Sequence, residues 1–298
     1  MDLTLLDIGI YKSQGKSIDK INHLFEIIPV IEELGYKRLW LGEHHDHDCA
    51  WRSPEILISL LLASSDKIKI GSAGNLLRLH NPLRLVHDYS LMESMFPGRV
   101  DMGIAAGTTT EINMKALLKH NNQDSFSEKV NDLFGFFETS FNKDNEFHTI
   151  QTPPYIKGLK PDMWFLSTSN SKFELAINNE ANYAWSLFHT PKSTWPNGDS
   201  VLIFEELYYK ANNKLPETAL AISGICLEDK SRAESIKKLF KDNLHPTIVG
   251  SKEECSDQIN NLLQKYKGVK ELVICDLSLE IEEKKESCKL FKEIVNDI

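Results

Sequence analysis

Leu39-Trp40-Leu41-Gly42-Glu43-His44-His45 is an apolar run that ends abruptly in a carboxylate and two imidazoles. The run reads as a short buried strand whose C-terminal end presents ionisable groups. In a parallel α/β protein that end of the strand is where chemistry is done. The stretch therefore points to a parallel sheet and to a site on it.

The flanking sequence alternates strand and helix signals in both directions. Leu3 to Ile10 reads as a strand. Ile18 to Leu34 has helical periodicity and stops at Gly35. Arg38 to Leu41 is the second strand. Ser53-Pro54-Glu55 reads as N-cap, Pro at N1 and acidic first turn of a helix continuing to Ala63. Ile68 to Ala73 is a third strand, Pro82 to about Met95 a helix, and Pro97-Gly98 turns the chain into a fourth strand, Val100 to Ala105. Thr108 to Asp124 reads as a long loop with some helix, Ser127 to Phe141 as an amphipathic helix, and Asn142 to Lys160 as a meandering connection. Strands are then expected at Met163 to Leu166, Tyr183 to Phe188, Ala219 to Cys226 and Glu271 to Cys275. Helices are expected at Ser171 to Asn179, Val201 to Asn212, Arg232 to Phe240, Lys252 to Tyr266 and Ile281 to Val295. Eight strand–helix units with no second composition block predict a single-domain (β/α)8 TIM barrel over 1–298. A doubly wound sheet is the structural competitor.

Composition narrows the partners. The 298 residues are 41% apolar and 26% charged, an ordinary globular balance. Asp plus Glu number 43 against 34 Lys plus Arg, a net charge of −9, which disfavours nucleic acid and anionic membrane. The five cysteines are scattered with no Cys-x-x-Cys pair, as expected of reduced thiols. Met1-Asp2-Leu3-Thr4 does not open a signal peptide, and no apolar run approaches ~20 residues, so a cytoplasmic protein without a membrane span is expected.

On a barrel, the strand ends nominate the site: Glu43, His44 and His45; Gly74 and Asn75; Ala105 to Thr108; Ser167-Thr168-Ser169-Asn170-Ser171; His189; and Asp276. Hydroxyls and free N–H groups ahead of a helix suit a phosphate, though plain N-capping uses the same residues. Small residues at Gly71-Ser72-Ala73-Gly74 let a flat ring approach the backbone, and also occur where a strand bends. His45-x-His47 with His189 and Asp276 is a metal reading, like a barrel hydrolase. Against it, the pair follows the second strand and not the first.

Glu43-His44-His45, Ser53-Pro54, Ile70-Gly71-Ser72-Ala73-Gly74, His80-Asn81-Pro82-Leu83-Arg84 and Pro97-Gly98-Arg99-Val100-Asp101-Met102-Gly103 occur in that order. Trp164 to Ser171 and Val249-Gly250-Ser251-Lys252-Glu253-Glu254 continue the series. The set resembles the bacterial luciferase-like flavin monooxygenases, in the short branch of natural-product gene clusters. The resemblance implies a barrel that binds FMN, with its phosphate on the loop after the fifth strand. Ser167, Thr168, Ser169 and Ser171 fall there, Ala73, Gly74 and Asn75 behind the flavin ring, and Gly107 and Thr108 after the fourth strand. Ala73-Gly74 matches a place where relatives often carry a non-proline cis peptide. His44 matches the family's active-site histidine, with Glu43 or His45 expected to orient it.

Two departures stand out. Ala105-Ala106-Gly107-Thr108 replaces a more polar pair. No arginine occupies Asp124 to Lys129, where some relatives hold the phosphate, which leaves Lys129 or Thr108 as substitutes. The resulting expectation is an FMN-dependent monooxygenase that takes reduced FMN, supplied by a separate flavin reductase, and dioxygen to a small organic or natural-product substrate. A homodimer is expected, and no metal. Alternatives on the same fold are a flavin- or deazaflavin-dependent reductase or dehydrogenase and a non-catalytic flavin-binding protein; the metal-dependent hydrolase is a further one.

Overall fold

The computed structural model describes the chain except residues 12–15, 46–47, 120–124, 139–140, 153–157 and 241–243. Its elements in order are β1 (Asp2–Asp7), α1 (Ser17–Glu33), β2 (Arg38–Leu41), α2 (Glu55–Ala63), β3 (Lys69–Leu76), α3 (Pro82–Met95) and β4 (Val100–Ala105). Next come α4 (Glu111–Leu118), α5 (Phe126–Glu138), β5 (Asp162–Ser167), α6 (Phe173–Asn178), β6 (Asn182–Ser186), α7 (Ser200–Asn212) and β7 (Thr218–Cys226). The chain ends with α8 (Lys230–Phe240), β8 (Ile248–Gly250), α9 (Lys252–Lys265), β9 (Glu271–Asp276) and α10 (Ile281–Asp297). Among the described residues no helix is long and apolar enough to cross a membrane.

The sheet closes. β1 to β7 pair in chain order, all parallel, β7 pairs β9, and β9 pairs back to β1. That is the expected (β/α)8 barrel. β8 is an addition that alternation did not reveal. It continues the pairing on β7 where β9 stops, from Gly224↔Ile248 to Cys226↔Gly250. A Cβ on Gly224 would lie 2.7 Å from the Ile248 carbonyl oxygen, so glycine is what lets this strand approach.

Alternate residues of each strand divide the apolar interior, as period-2 side-chain direction requires. Leu39 and Leu41 pack outward under the helices, with Leu24, Ile27, Ile58 and Leu61. Trp40 points into the barrel, with Leu6, Trp164, Ala219, Ala221 and Val273. The N-terminal end of the barrel is plugged by buried Arg38. Its guanidinium bonds Asp101 and Glu271 at 3.1 to 3.4 Å, pairs with Glu217, and lies 4.9 Å over Trp164. Burial pushes the Asp101 carboxyl up to about 6, against the pull of Arg38. The opposite, C-terminal end is open.

Three local features follow from chain chemistry. Helix α2 begins at Glu55 with Pro54 as its flanking residue and no side-chain cap, so Ser53 does not cap it. Helix α3 starts at Pro82 as expected, and Asn81 caps it by accepting from the Arg84 N–H at 3.1 Å. The helix expected within the long loop after β4 is α4, capped by Thr110. Asp124 lies outside the described residues.

Candidate active site

A cavity of about 490 Å³ opens at the C-terminal ends of β2 to β6. Ligand pockets of drug-sized molecules span ~300–1,000 Å³, so one organic cofactor fits. From β2 come Glu43, His44 and His45. The Glu43 side chain is 1% exposed. It accepts from His45 Nε2 at 2.7 Å, His80 Nε2 at 2.8 Å and the Leu76 N–H at 2.8 Å. Burial pushes this carboxyl up; the bonds from His80, Leu76 and His45 outweigh that and hold it below its ordinary value. His80 moves the opposite way, since Glu43 raises it more than burial lowers it. An ionised carboxylate only accepts, so both Nε2 atoms donate. Glu43 thus holds His45, His80 and the end of β3 in register.

His44 faces His189, which follows β6. The rings are near-parallel, 18° apart in plane with centroids 5.9 Å apart. His189 Nδ1 lies 2.6 Å from Ser186 Oγ. Burial pushes His189 down to about 3, and His44 and His245 add to the shift.

The wall between β3 and β4 is made of small residues. The Ala73–Gly74 peptide bond is cis, and the β3–β4 register shifts between Ser72 and Asn75. A Cβ on Gly74 would stand 2.9 Å from Gly103 carbonyl carbon, so the two strands touch backbone to backbone. Ala105, Ala106, Gly107 and Thr108 continue the wall. Asn113 of α4 ties this loop across the mouth, donating to the His45 carbonyl at 3.3 Å and to Thr109 Oγ1 at 3.2 Å.

The far side carries hydroxyls. Ser167, Thr168, Ser169, Ser171 and Lys172 line it. Ser169 Oγ donates to Ser171 Oγ at 3.0 Å, and the Tyr183 hydroxyl holds the Ser169 carbonyl at 2.6 Å. The residue flanking α6 is Lys172, and no side chain caps that helix. These serines do not cap α6; Ser167 Oγ accepts from the Ser169 N–H and Ser169 Oγ from the Ser171 N–H, each at 3.3 Å.

Glu43, His44, His45, Ala73, Gly74, Gly107, Thr108, Ser167, Thr168, Ser169 and Ser171 all border this one cavity. Asn75, expected beside the ring, turns its side chain away. It is fully buried, and its amide donates to Ser72 Oγ at 3.0 Å and to the Tyr89 hydroxyl at 3.1 Å. Lys129, expected as a substitute for the missing arginine, is also elsewhere: its Nζ donates to the Arg78 and His80 carbonyls, each at 2.9 Å. Lys172 borders the cavity instead, a residue that sequence reading passed over although it adjoins Ser171. Of the metal reading, His47 lies outside the described residues. Asp276 is engaged by Ser278 and buried Lys284. Among the described residues no three His, Cys, Asp or Glu side chains are grouped to hold a metal ion.

Known proteins share this arrangement of the chain. The sequence profile of the family described as luciferase-like monooxygenase matches residues 3–234. The N-acetyl-S-alkylcysteine monooxygenase of Bacillus subtilis is 25% identical over 280 residues, 89% of this chain and 81% of its own. The crystal structure of apo-MsnO8 superposes with a TM-score of 0.83 at 21% identity, covering 99% of this chain and 98% of that one. The oxygenating constituent of 3,6-diketocamphane monooxygenase from Pseudomonas putida, solved in complex with FMN, superposes with a TM-score of 0.75 at 15% identity, covering 100% and 98%. With a family profile spanning most of its length and the barrel to match, the chain belongs to the luciferase-like monooxygenases.

Proposed function

We propose that the protein binds FMN in this cavity and uses the reduced form with dioxygen to oxidise a small organic molecule. The observation that carries the reading is one cavity with imidazoles on its β2 side and a pair of serine hydroxyls beside a lysine on its β5 side. The residues fit the group. Ser167, Thr168, Ser169, Ser171 and Lys172 offer donors and a cation to a phosphate, as charge-assisted hydrogen bonds require. Ala73, Gly74, Ala106 and Gly107 leave room for a flat ring against the backbone. Bound FMN would supply the redox chemistry, and the protein the shape, dryness and proton traffic.

His44 is the group for proton transfer, since an imidazole has both forms accessible near neutral pH. Glu43 fixes the tautomer and position of His45 beside it. Asn113 closes the loop after β4 over these residues. A separate flavin reductase is the proposed source of reduced FMN, and the cytoplasm the proposed location. The five cysteines, all free and buried, support a reducing compartment.

The test mixes the protein with reduced FMN under anaerobic conditions and then admits oxygen. Binding of reduced FMN and a reoxidation rate set by the protein are expected. His44→Ala should lower turnover by roughly 10²–10⁴-fold while FMN affinity stays unchanged. Absence of FMN binding in either redox state contradicts the reading. Oxygen-independent hydride transfer with a deazaflavin would move the protein to the reductase alternative.

A further inference from the structure

We propose that His189 is a second working imidazole of this cavity, a neutral Nε2–H donor for an oxygen atom of the bound ligand. The assignment rests on the cavity being the ligand site, and it gives a ligand-binding role to a strand-end residue that the sequence linked only to a metal.

Ser186, the last residue of β6, is 4% exposed. Its hydroxyl has one proton to place, and His189 Nδ1 at 2.6 Å is the partner found for it among the described residues. With the proton on Nδ1 the serine would accept, and its own proton, with no protein acceptor among the described residues, would have to turn into the cavity that Ser186 also borders. Unmet buried donors cost ~1–3 kcal/mol. Ser186 therefore donates to Nδ1, and the ring's own proton sits on Nε2. His189 borders the cavity, and its Nε2 has no protein partner among the described residues, so the ligand is what Nε2–H can meet.

Charge points the same way. The groups that act on His189 are His44 from the β2 end and His245 from the loop before β8, both basic, while the Phe188 ring lies 4.2 Å away by centroid. No carboxylate offsets them. Together with burial they hold the ring neutral through the working range. A neutral imidazole cannot deliver its proton as an acid, but it is a donor of constant charge for a carbonyl or a developing oxyanion. The two facing rings thus divide the work: His44 exchanges a proton, and His189 holds an oxygen.

That oxygen belongs either to a ring carbonyl of the flavin or to a carbonyl or hydroxyl of the substrate, and the experiment separates them. Nitrogen-15 NMR of the histidine-labelled, ligand-free protein should show His189, assigned by its loss in His189→Gln, as the Nε2–H tautomer without change from about pH 5 to 9. Ser186→Ala should release it into exchange between tautomers. A protonated ring within that range, or an Nδ1–H tautomer, overturns the proposal. FMN titration and turnover of His189→Leu and His189→Gln complete the test, because the glutamine amide replaces the lost N–H. His189→Leu should weaken FMN by about tenfold if the flavin is the acceptor, or leave FMN binding intact and lower turnover by about tenfold if the substrate is. His189→Gln should recover most of either loss. Equal FMN affinity and turnover in wild type and His189→Leu overturn the proposal. Failure of the wild type to bind FMN would strike the FMN reading, while the NMR result would still decide the tautomer.

Discussion

Glu43 is the residue on which the mouth of the barrel is organised, because three donors converge on one buried carboxylate. Glu43→Gln leaves one oxygen to serve them and presents an amide to a donor, so a loss of ~3 kcal/mol is expected from urea unfolding. The pH dependence has a definite sign. The folded Glu43 is depressed from 4.5, so its contribution is present above that value and lost as pH falls through the folded value. The folded His80 is raised from 6.5, so its contribution is full below that value and lost as pH rises through the folded one. The stability gap between wild type and Glu43→Gln should therefore be largest between about pH 5 and 6.5 and shrink on both sides. A gap flat from pH 4 to pH 9 would contradict the network. Glu43, His44 and His45 were legible in sequence because ionisable groups ending an apolar run stand out locally. The role of His80 was not, since its partner is 37 residues away and only the fold brings them together.

Among the elements, β3 and β4 are constrained most tightly. A Cβ on Gly103 would sit 2.4 Å from the Ser72 carbonyl oxygen, which is backbone and cannot swing aside. A Cβ on Gly107 would meet Leu76 Cδ2 at 2.9 Å, the end of a flexible side chain. Gly103→Ala should cost about 3 kcal/mol or prevent folding, and Gly107→Ala about 1 kcal/mol or less, by thermal or urea unfolding. Equal costs would mean that the two strands can part. Elements with strong signals of their own were legible to the residue: α3 from Asn81-Pro82, and β4 between the Pro97-Gly98 turn and Ala105. β8 was not, because Ile248-Val249-Gly250 is too short for a period to show. The serine loop misled in detail, since hydroxyls ahead of a helix look like caps until the backbone shows Lys172 in that place.

At the scale of the whole molecule, alternation of strands and helices was enough to foresee a closed parallel barrel, and the C-terminal mouth followed from it. Alternation says nothing of the surface. Ile56 and Leu60 on α2 and Leu91 and Met95 on α3 are 50 to 72% exposed on neighbouring helices. An exposed apolar face of this kind suits the homodimer expected from the sequence. We propose a homodimer through this face. Light scattering at micromolar concentration should give twice 34.0 kDa, falling to the single mass in Ile56→Glu combined with Leu91→Glu. A wild-type monomer would refute it. A mouth built for a phosphate-bearing flavin must prefer FMN to riboflavin. Titration of the wild type should show FMN bound more tightly by at least about tenfold, the worth of one charge-assisted hydrogen bond, and Ser169→Ala with Ser171→Ala should erase most of that preference. Equal affinity of the wild type for the two flavins would mean that the mouth does not bind the phosphate.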